Sequence, residues 1–524
     1  MRFFTWAALA AACAFPAWAG SNLRGNGKSL FWRDGKVTLR VSRVVHWSAG
    51  ETGVDKRETA ASVQAAVLEA IRAWVRPGRA KLELDLEFTD TQSVSAGENV
   101  VTFTDPAPFD TGVCDKARYI ACTLLSFTGD GAIVGASVAF NPYKRHSSLG
   151  FEGTHDLGLI MRHEMGHVLG LDHSFLADSV MTTEAEQEPA PGAPRMFAVR
   201  RLSEDDSSTL AGLYPLADVP ASAITGVVRR GGGPPLAGVR VIAIDAAGRA
   251  PHGALTGEGG AYRLLVSPGD YTVMAEPSDG PAAMTARPVS VKEGEARDGV
   301  DLSVSNEPKV TVENVGVVQG GFYAGMPRVD LARGRDHSLG LIRSPMGAAV
   351  EMLLPEPPIV KTGNPSSPSS APQLVRQTVR VALDAAVGSY SMLVRSGAAV
   401  TVLPAPLRIV PNPRIEAVKD AATGEEAATL RAGRRYAISG TDLAPFEALA
   451  APEFEGAPAT SQLAGMSVRV GDRYVPIVSA KPWELVFDMP AGSVTEPGDA
   501  KVTVVAGTVM ESASVMVKLA PAAE

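Results

Sequence analysis

The sequence predicts a multidomain chain: one mixed α+β domain on the N-terminal side, then three all-β sandwich modules. Three observations carry this expectation. With 524 residues the chain exceeds what one hydrophobic core can organise, and ordinary domain sizes suggest roughly three to five units. Strong helical periodicity is confined to the stretch from residue 21 to about residue 215. Beyond Pro215 the chain becomes short apolar runs separated by Gly, Pro, Asp and Asn, the texture of strands joined by turns. The 52 glycines and 38 prolines suit that architecture.

The N-terminus reads MRFFTWAALAAACAFPAWAG. Arg2 precedes an apolar run of signal-peptide length, and Ala17-Trp18-Ala19 before Gly20 fits cleavage after small residues, so residues 1–19 are read as an export signal. A lipid anchor on Cys13 is disfavoured, because Ala10 stands where a Leu-like residue is needed. No later stretch approaches the ~18 consecutive apolar residues of a spanning helix, so no transmembrane segment is expected. The net charge of -8 and the lack of Lys/Arg runs argue against nucleic acid and anionic membranes as partners. Once the signal is removed, Cys114 and Cys122 remain, and an even pair in an exported chain suggests one disulfide, with two free thiols as the alternative.

Within residues 20–215, Lys36–Ser42 alternates as a strand. From Glu58 to Val75 apolar residues recur at Val63, Val67, Ala70, Ile71 and Trp74, one face of a helix that Pro77-Gly78 stops. Lys81–Thr89, Asn99–Thr104 and Ala132–Asn141 read as strands. A helix from about His155 to Leu169 carries apolar groups around nearly its whole circumference, which describes a buried element. Ser203 is a good N-cap for a last helix, and the acids after it fill the first turn.

The buried helix contains the densest chemistry in the chain. RHEMGHVLGLDH, residues 162–173, holds three of the eight histidines. His163 and His167 are one helical turn apart, so both imidazoles can reach one ion at the ~2.0–2.1 Å that zinc needs. Glu164 adjoins the first ligand, close enough to act as general base on water at the metal without ligating it. Gly170 can take a left-handed conformation that ends the helix and turns the chain back, and His173 then completes a three-histidine face. Three protein ligands leave a fourth position for water, the open arrangement of a catalytic rather than a structural zinc. Zinc would polarise the scissile carbonyl and lower the pKa of the water, and Glu164 would carry the proton to the leaving amine.

H-E-x-x-H-x-x-G-x-x-H is the metzincin signature, for which a later methionine turn is expected. Met181, in SVMT, stands eight residues after His173. With Ser174 directly after the third histidine and LSEDDSSTLAGLYP at 202–215, the region from about residue 30 to 215 resembles the matrixin branch. The resemblance implies a metzincin α+β catalytic domain, with a mixed sheet and a buried active-site helix. It further implies His163, His167 and His173 as zinc ligands, Glu164 as catalytic base, Met181 as the turn beneath the metal, and hydrolysis of internal peptide bonds. On the same grounds AIVGASVAFN would be the strand that receives an extended protein or peptide substrate. The chain departs from the family in lacking a cysteine switch before the domain and Asp/Gly-rich metal loops. His146 and His155-Asp156 give no convincing spacing for a second zinc or a structural calcium.

Three further modules follow. Residues 223–304 carry TGVV, PLAGVRVIAID, TGEGGAYRL and PGDYTVMAEP, which resemble the carboxypeptidase regulatory-like β-sandwich. Residues 305–410 are Ig-like in texture, and 411–520, with GRRYAISGTDLA and GMSVRVGDRYVPIVSA, resemble an Ig-like C-terminal module of secreted bacterial proteins. Spacer roles, or contact with a cell surface or matrix, suit such modules. The reading is thus a secreted or surface-associated zinc endopeptidase; the alternative is an adhesion protein whose metzincin domain is inactive.

Overall fold

The computed structural model describes residues 10–11, 22–75, 80–148, 154–176, 179–182, 202–216, 221–277, 286–304, 311–319, 322–326, 329–344, 348–397, 399–445, 447–449, 462–464, 466–506 and 510–522. The export-signal expectation therefore falls outside the described residues, except for Ala10 and Ala11.

The first domain is α+β. Its strands are β1 (Ala10–Ala11), β2 (Arg24–Gly25), β3 (Lys28–Ser29), β4 (Lys36–Ser42), β5 (Gly53–Val54), β6 (Glu83–Thr89), β7 (Val100–Thr102), β8 (Ala121–Phe127), β9 (Ile133–Phe140), β10 (Arg145–Ser147) and β11 (His155–Asp156). Its helices are α1 (Ala60–Arg72), α2 (Ala107–Asp110), α3 (Leu157–Val168) and α4 (Glu204–Leu213). The main sheet runs β1-β8-β9-β7-β4-β6, parallel from β9 to β6 and antiparallel where β8 meets β9 and β1.

That order corrects one expectation. The AIVGASVAFN stretch forms β9, which pairs with β7 on one side and β8 on the other, so it has no free edge for a substrate. Every β9 residue except Val134 is buried, with Ala136, Val138 and Phe140 in the main core and Ala139 in the small cluster around the disulfide, so the run does not alternate. The strand near the sheet margin is β8, whose side away from β9 is bordered, among the described residues, by the two residues of β1, at Leu124 and Leu125.

Helix α1 packs its apolar face, with Val63, Val67 and Ile71 fully buried, against α3 and the sheet. Thr59 caps it through a reciprocal pair with Ser62, worth about 1 kcal/mol. Helix α3 is buried along its entire length, as its all-round apolar pattern requires. It begins two residues later than the periodicity suggests, because His155 and Asp156 form β11 and the Asp156 side chain accepts the Leu159 N–H as N-cap. Cys114 and Cys122 are joined in a disulfide that ties the segment after α2 to β8.

The second module comprises β12 (Ala223–Arg230), β13 (Val239–Asp245), β14 (His252–Leu255), β15 (Ala261–Leu265), β16 (Gly269–Pro277), β17 (Ala286–Val291), β18 (Ala296–Arg297) and β19 (Leu302–Val304). These form two sheets, β15-β12-β18 with β19 also on β12, and β14-β13-β16-β17, closed over Ile224, Val241, Leu264 and Val273. The strands between Thr311 and Val410 form a third two-sheet unit, and those between Arg414 and Ala520 a fourth. Each has its own apolar core, so the chain is an α+β domain followed by three β-sandwich modules.

Candidate metal centre

The C-terminal turn of α3 sets the site. Leu171 N–H bonds to Gly166 C=O and Gly170 N–H to His167 C=O, with Gly170 at φ +90°, which together make a Schellman cap. A Cβ at Gly170 would overlap the Leu30 carbonyl, so backbone conformation and close approach both call for glycine there. Carbonyls left over at the helix end are not wasted: Trp32 Nε1 donates to Val168 O at 2.8 Å, and Tyr214 Oη donates to Leu169 O at 2.7 Å. The cap turns the chain back so that His173 faces the helix.

The three imidazoles then converge. Ring centroids are 4.8 Å apart for His163 and His167, 4.8 Å for His167 and His173, and 5.2 Å for His163 and His173. One ring nitrogen from each lies within 4.8 Å of the others, and it is the one such metal-capable group among the described residues. His163 Nδ1 lies 2.7 Å from Val180 O, and His167 Nδ1 lies 2.9 Å from Leu171 O. A carbonyl only accepts, so each Nδ1 carries the proton and each neutral ring presents Nε2 as a lone pair. His167 Nε2 is 3.3 Å from His173 Nε2, a separation at which two ring nitrogens share a proton or a cation. Neutral imidazoles with carbonyl-anchored Nδ1 atoms are the donor set a divalent transition metal takes, so the residues present fit zinc.

Glu164 is 1% exposed, and its Oε2 accepts a hydrogen bond from Thr123 Oγ1 at 2.5 Å. Thr123 lies in β8, so the carboxylate is held against the marginal strand of the sheet. Beneath the triad Met181 is 1% exposed and packs on Gly166, where any Cβ would overlap its Sδ. Trp74 closes the same contact and donates Nε1–H to Arg162 O at 2.9 Å.

Helix α4 supplies a clamp that sequence reading assigned only to capping. Asp206 does cap with Ser203, but its carboxylate also accepts from Ser179 Oγ at 2.5 Å and Val180 N at 3.0 Å. Those two residues lead into Met181, and the Val180 carbonyl anchors His163. The contact spans 26 residues, so no local pattern could have disclosed it. Thr123 was missed for a different reason: ACTLLSF ends at a TGDG turn but has no apolar/polar alternation to say which of its side chains face the helix.

His146 and His155 sit side by side on the parallel strands β10 and β11, ring centroids 6.1 Å apart, away from the triad. His146 is fully buried, and that burial lowers its pKa to about 3, with the nearby His155 and Lys144 adding to the effect. It joins no group of three metal-capable side chains among the described residues.

Comparison with known families agrees with this geometry. Residues 44–215 match the matrixin family and residues 223–305 match the carboxypeptidase regulatory-like domain, the two resemblances read from the sequence. No curated protein matches the chain. Similar solved structures include a surface glycan-binding protein of Prevotella bryantii, at 12% identity over 40% of this chain and 42% of that one, TM-score 0.20. Another is the mixed-linkage glucan locus counterpart from Bacteroides ovatus with a heptasaccharide, at 13% identity over 58% and 67%, TM-score 0.17. A third is the major pilin subunit of Bacillus cereus, at 9% identity over 57% and 97%, TM-score 0.15. The chain thus spans less than half of the first of these structures.

Proposed function

We propose that residues 20–215 form a zinc endopeptidase that hydrolyses internal peptide bonds, with His163, His167 and His173 as ligands and Glu164 as general base. The observation that carries the reading is the convergence of three buried imidazoles, two with Nδ1 held by a backbone carbonyl so that Nε2 faces the group. Bound there, zinc supplies a Lewis acid that polarises a peptide carbonyl and lowers the pKa of water towards about 7.

This chain's own groups do the rest. Glu164 takes a proton at a carboxylate oxygen as water adds to the carbonyl carbon, then returns it to the amine nitrogen as the C–N bond breaks. Thr123, by donating to Oε2, orients that carboxylate. The outer edge of β8 offers backbone donors and acceptors to an extended peptide. Ala10 and Ala11 of the proposed export signal border that edge, so signal removal would clear it for substrate. Export, a secreted or surface location and a role of the β modules in contacting a cell surface or matrix belong to the same reading. Among the described residues no helix is long and apolar enough to cross a membrane.

The test is digestion of casein by the zinc-loaded full chain, with products identified by mass. Internal cuts that cease on chelation and return with zinc support the reading. A zinc-replete chain that cuts neither casein nor a broad peptide library would instead favour an adhesion protein with an inactive domain.

A further inference from the structure

The segment that follows His173 does not stay within its own domain. Ser174 Oγ donates to Asp205 Oδ2 at 2.9 Å and accepts from Leu176 N at 3.2 Å. The other oxygen of the same carboxylate, Asp205 Oδ1, accepts the backbone N–H of Gly253 at 3.0 Å, and Gly253 lies in β14 of the second module. A single buried carboxylate therefore joins the residue beside the third histidine to a strand of a different module.

The apolar neighbours repeat the connection. Leu176 is fully buried in a cluster with Ile242, Ile244, Ala250 and Met274 of the second module, and Val402 of the third. The Arg240 guanidinium lies 5.6 Å from the Phe175 ring centre. Gly253 makes the approach possible: a Cβ there would stand 2.8 Å from Phe175 Cζ and 3.3 Å from Leu176 Cγ. A side chain in the middle of β14 would thus crowd Phe175 and Leu176, and one larger than a methyl more so.

The geometry points to the second module as a working part of the metal site. We infer that Asp205 and Gly253 are positioning residues that fix the chain as it leaves His173, and so raise the affinity for zinc. Asp206 holds the far end of the loop at Ser179 and Val180, and the second module holds its near end at Ser174 to Leu176. Anchoring the residues directly after a ligand leaves less backbone entropy to lose when the metal binds. The inference rests on reading the triad as a zinc site.

The test uses the full chain and reads zinc affinity by chelator competition, beside thermal unfolding. Asp205→Ala and Gly253→Val are each expected to weaken zinc binding about 10–100-fold, the usual cost of losing support behind a ligand. The two should be non-additive when combined, since they remove one connection. Leu302→Ala, in the core of the second module but away from the seam, should lower its melting temperature while leaving zinc affinity near the wild-type value. Should Gly253→Val fail to fold, Gly253→Ala puts one methyl against the end of the Phe175 ring and asks the same question. A folded Gly253 variant that binds zinc as wild type does overturns the inference and leaves the peptidase reading standing. A wild-type chain that takes up no zinc overturns both.

Discussion

His163 Nδ1 lies 2.7 Å from the carbonyl oxygen of Val180, the residue before Met181. One hydrogen bond thereby ties the first histidine of the buried helix to the turn that carries Met181. The same peptide segment is gripped from behind by Asp206, through Ser179 Oγ and Val180 N. The orientation of the His163 ring on α3 is therefore supported by an acid on α4.

Asp206→Ala should weaken zinc binding about 10–100-fold, because the support behind His163 goes with it. It should also cost stability, about 1–3 kcal/mol for the buried donors left behind at Ser179 and Val180, with the lost Ser203 cap adding to it. Chelator competition and chemical unfolding check the two effects separately. Asp206→Asn, which keeps an acceptor oxygen, should recover part of both.

Gly166→Ala should destabilise the first domain although alanine is the better helix former. Its methyl would overlap Met181 Sδ and crowd Trp74, and overpacking of this kind costs about 1–3 kcal/mol against a propensity gain of about 1 kcal/mol. Unfolding in urea at fixed zinc measures the balance, and a net stabilisation would contradict the packing described.

Much of the candidate site was legible because its three histidines share one short string. The His163 and His167 pair follows from helix pitch, and Gly170 from the need to turn the chain back towards His173. The rest lies in contacts distant in sequence. Asp205 and Asp206 read as first-turn acids of a capped helix, and nothing local says that one reaches Val180 and the other a strand of the next module. The expectation that AIVGASVAFN offers a strand edge fails because that run, buried everywhere but at Val134, lies between β7 and β8, whereas β8 carries the marginal position without an alternating pattern. The β-sandwich modules were legible from turn chemistry, but the docking of the second one onto the segment after His173 through Gly253 was not.

Acid should destabilise the first domain between about pH 6.5 and pH 3 through His146. Burial depresses its folded pKa to about 3, so the unfolded chain binds the proton first as pH falls, and stability drops across that window. Above the unfolded value the contribution is complete, and below pH 3 both states are protonated. Unfolding free energies of the metal-free chain measured against pH should show His146→Phe with a flatter slope than wild type, by on the order of 1 kcal/mol per pH unit. The variant should also be less stable at neutral pH, because the Asn141 carbonyl loses one of its two donors, His146 Nε2 at 2.9 Å, and keeps the Lys144 N–H. Equal slopes would show that His146 does not stay neutral in the fold.

The most direct measurement compares kcat/KM for casein-derived peptides between wild type and Glu164→Ala, with zinc content determined on the same samples. Glu164 is assigned to proton transfer and not to metal binding, so the variant should keep one zinc per chain and lose about 10²–10⁴-fold in rate. Cleavage at the wild-type rate by a zinc-replete Glu164→Ala chain would contradict the account.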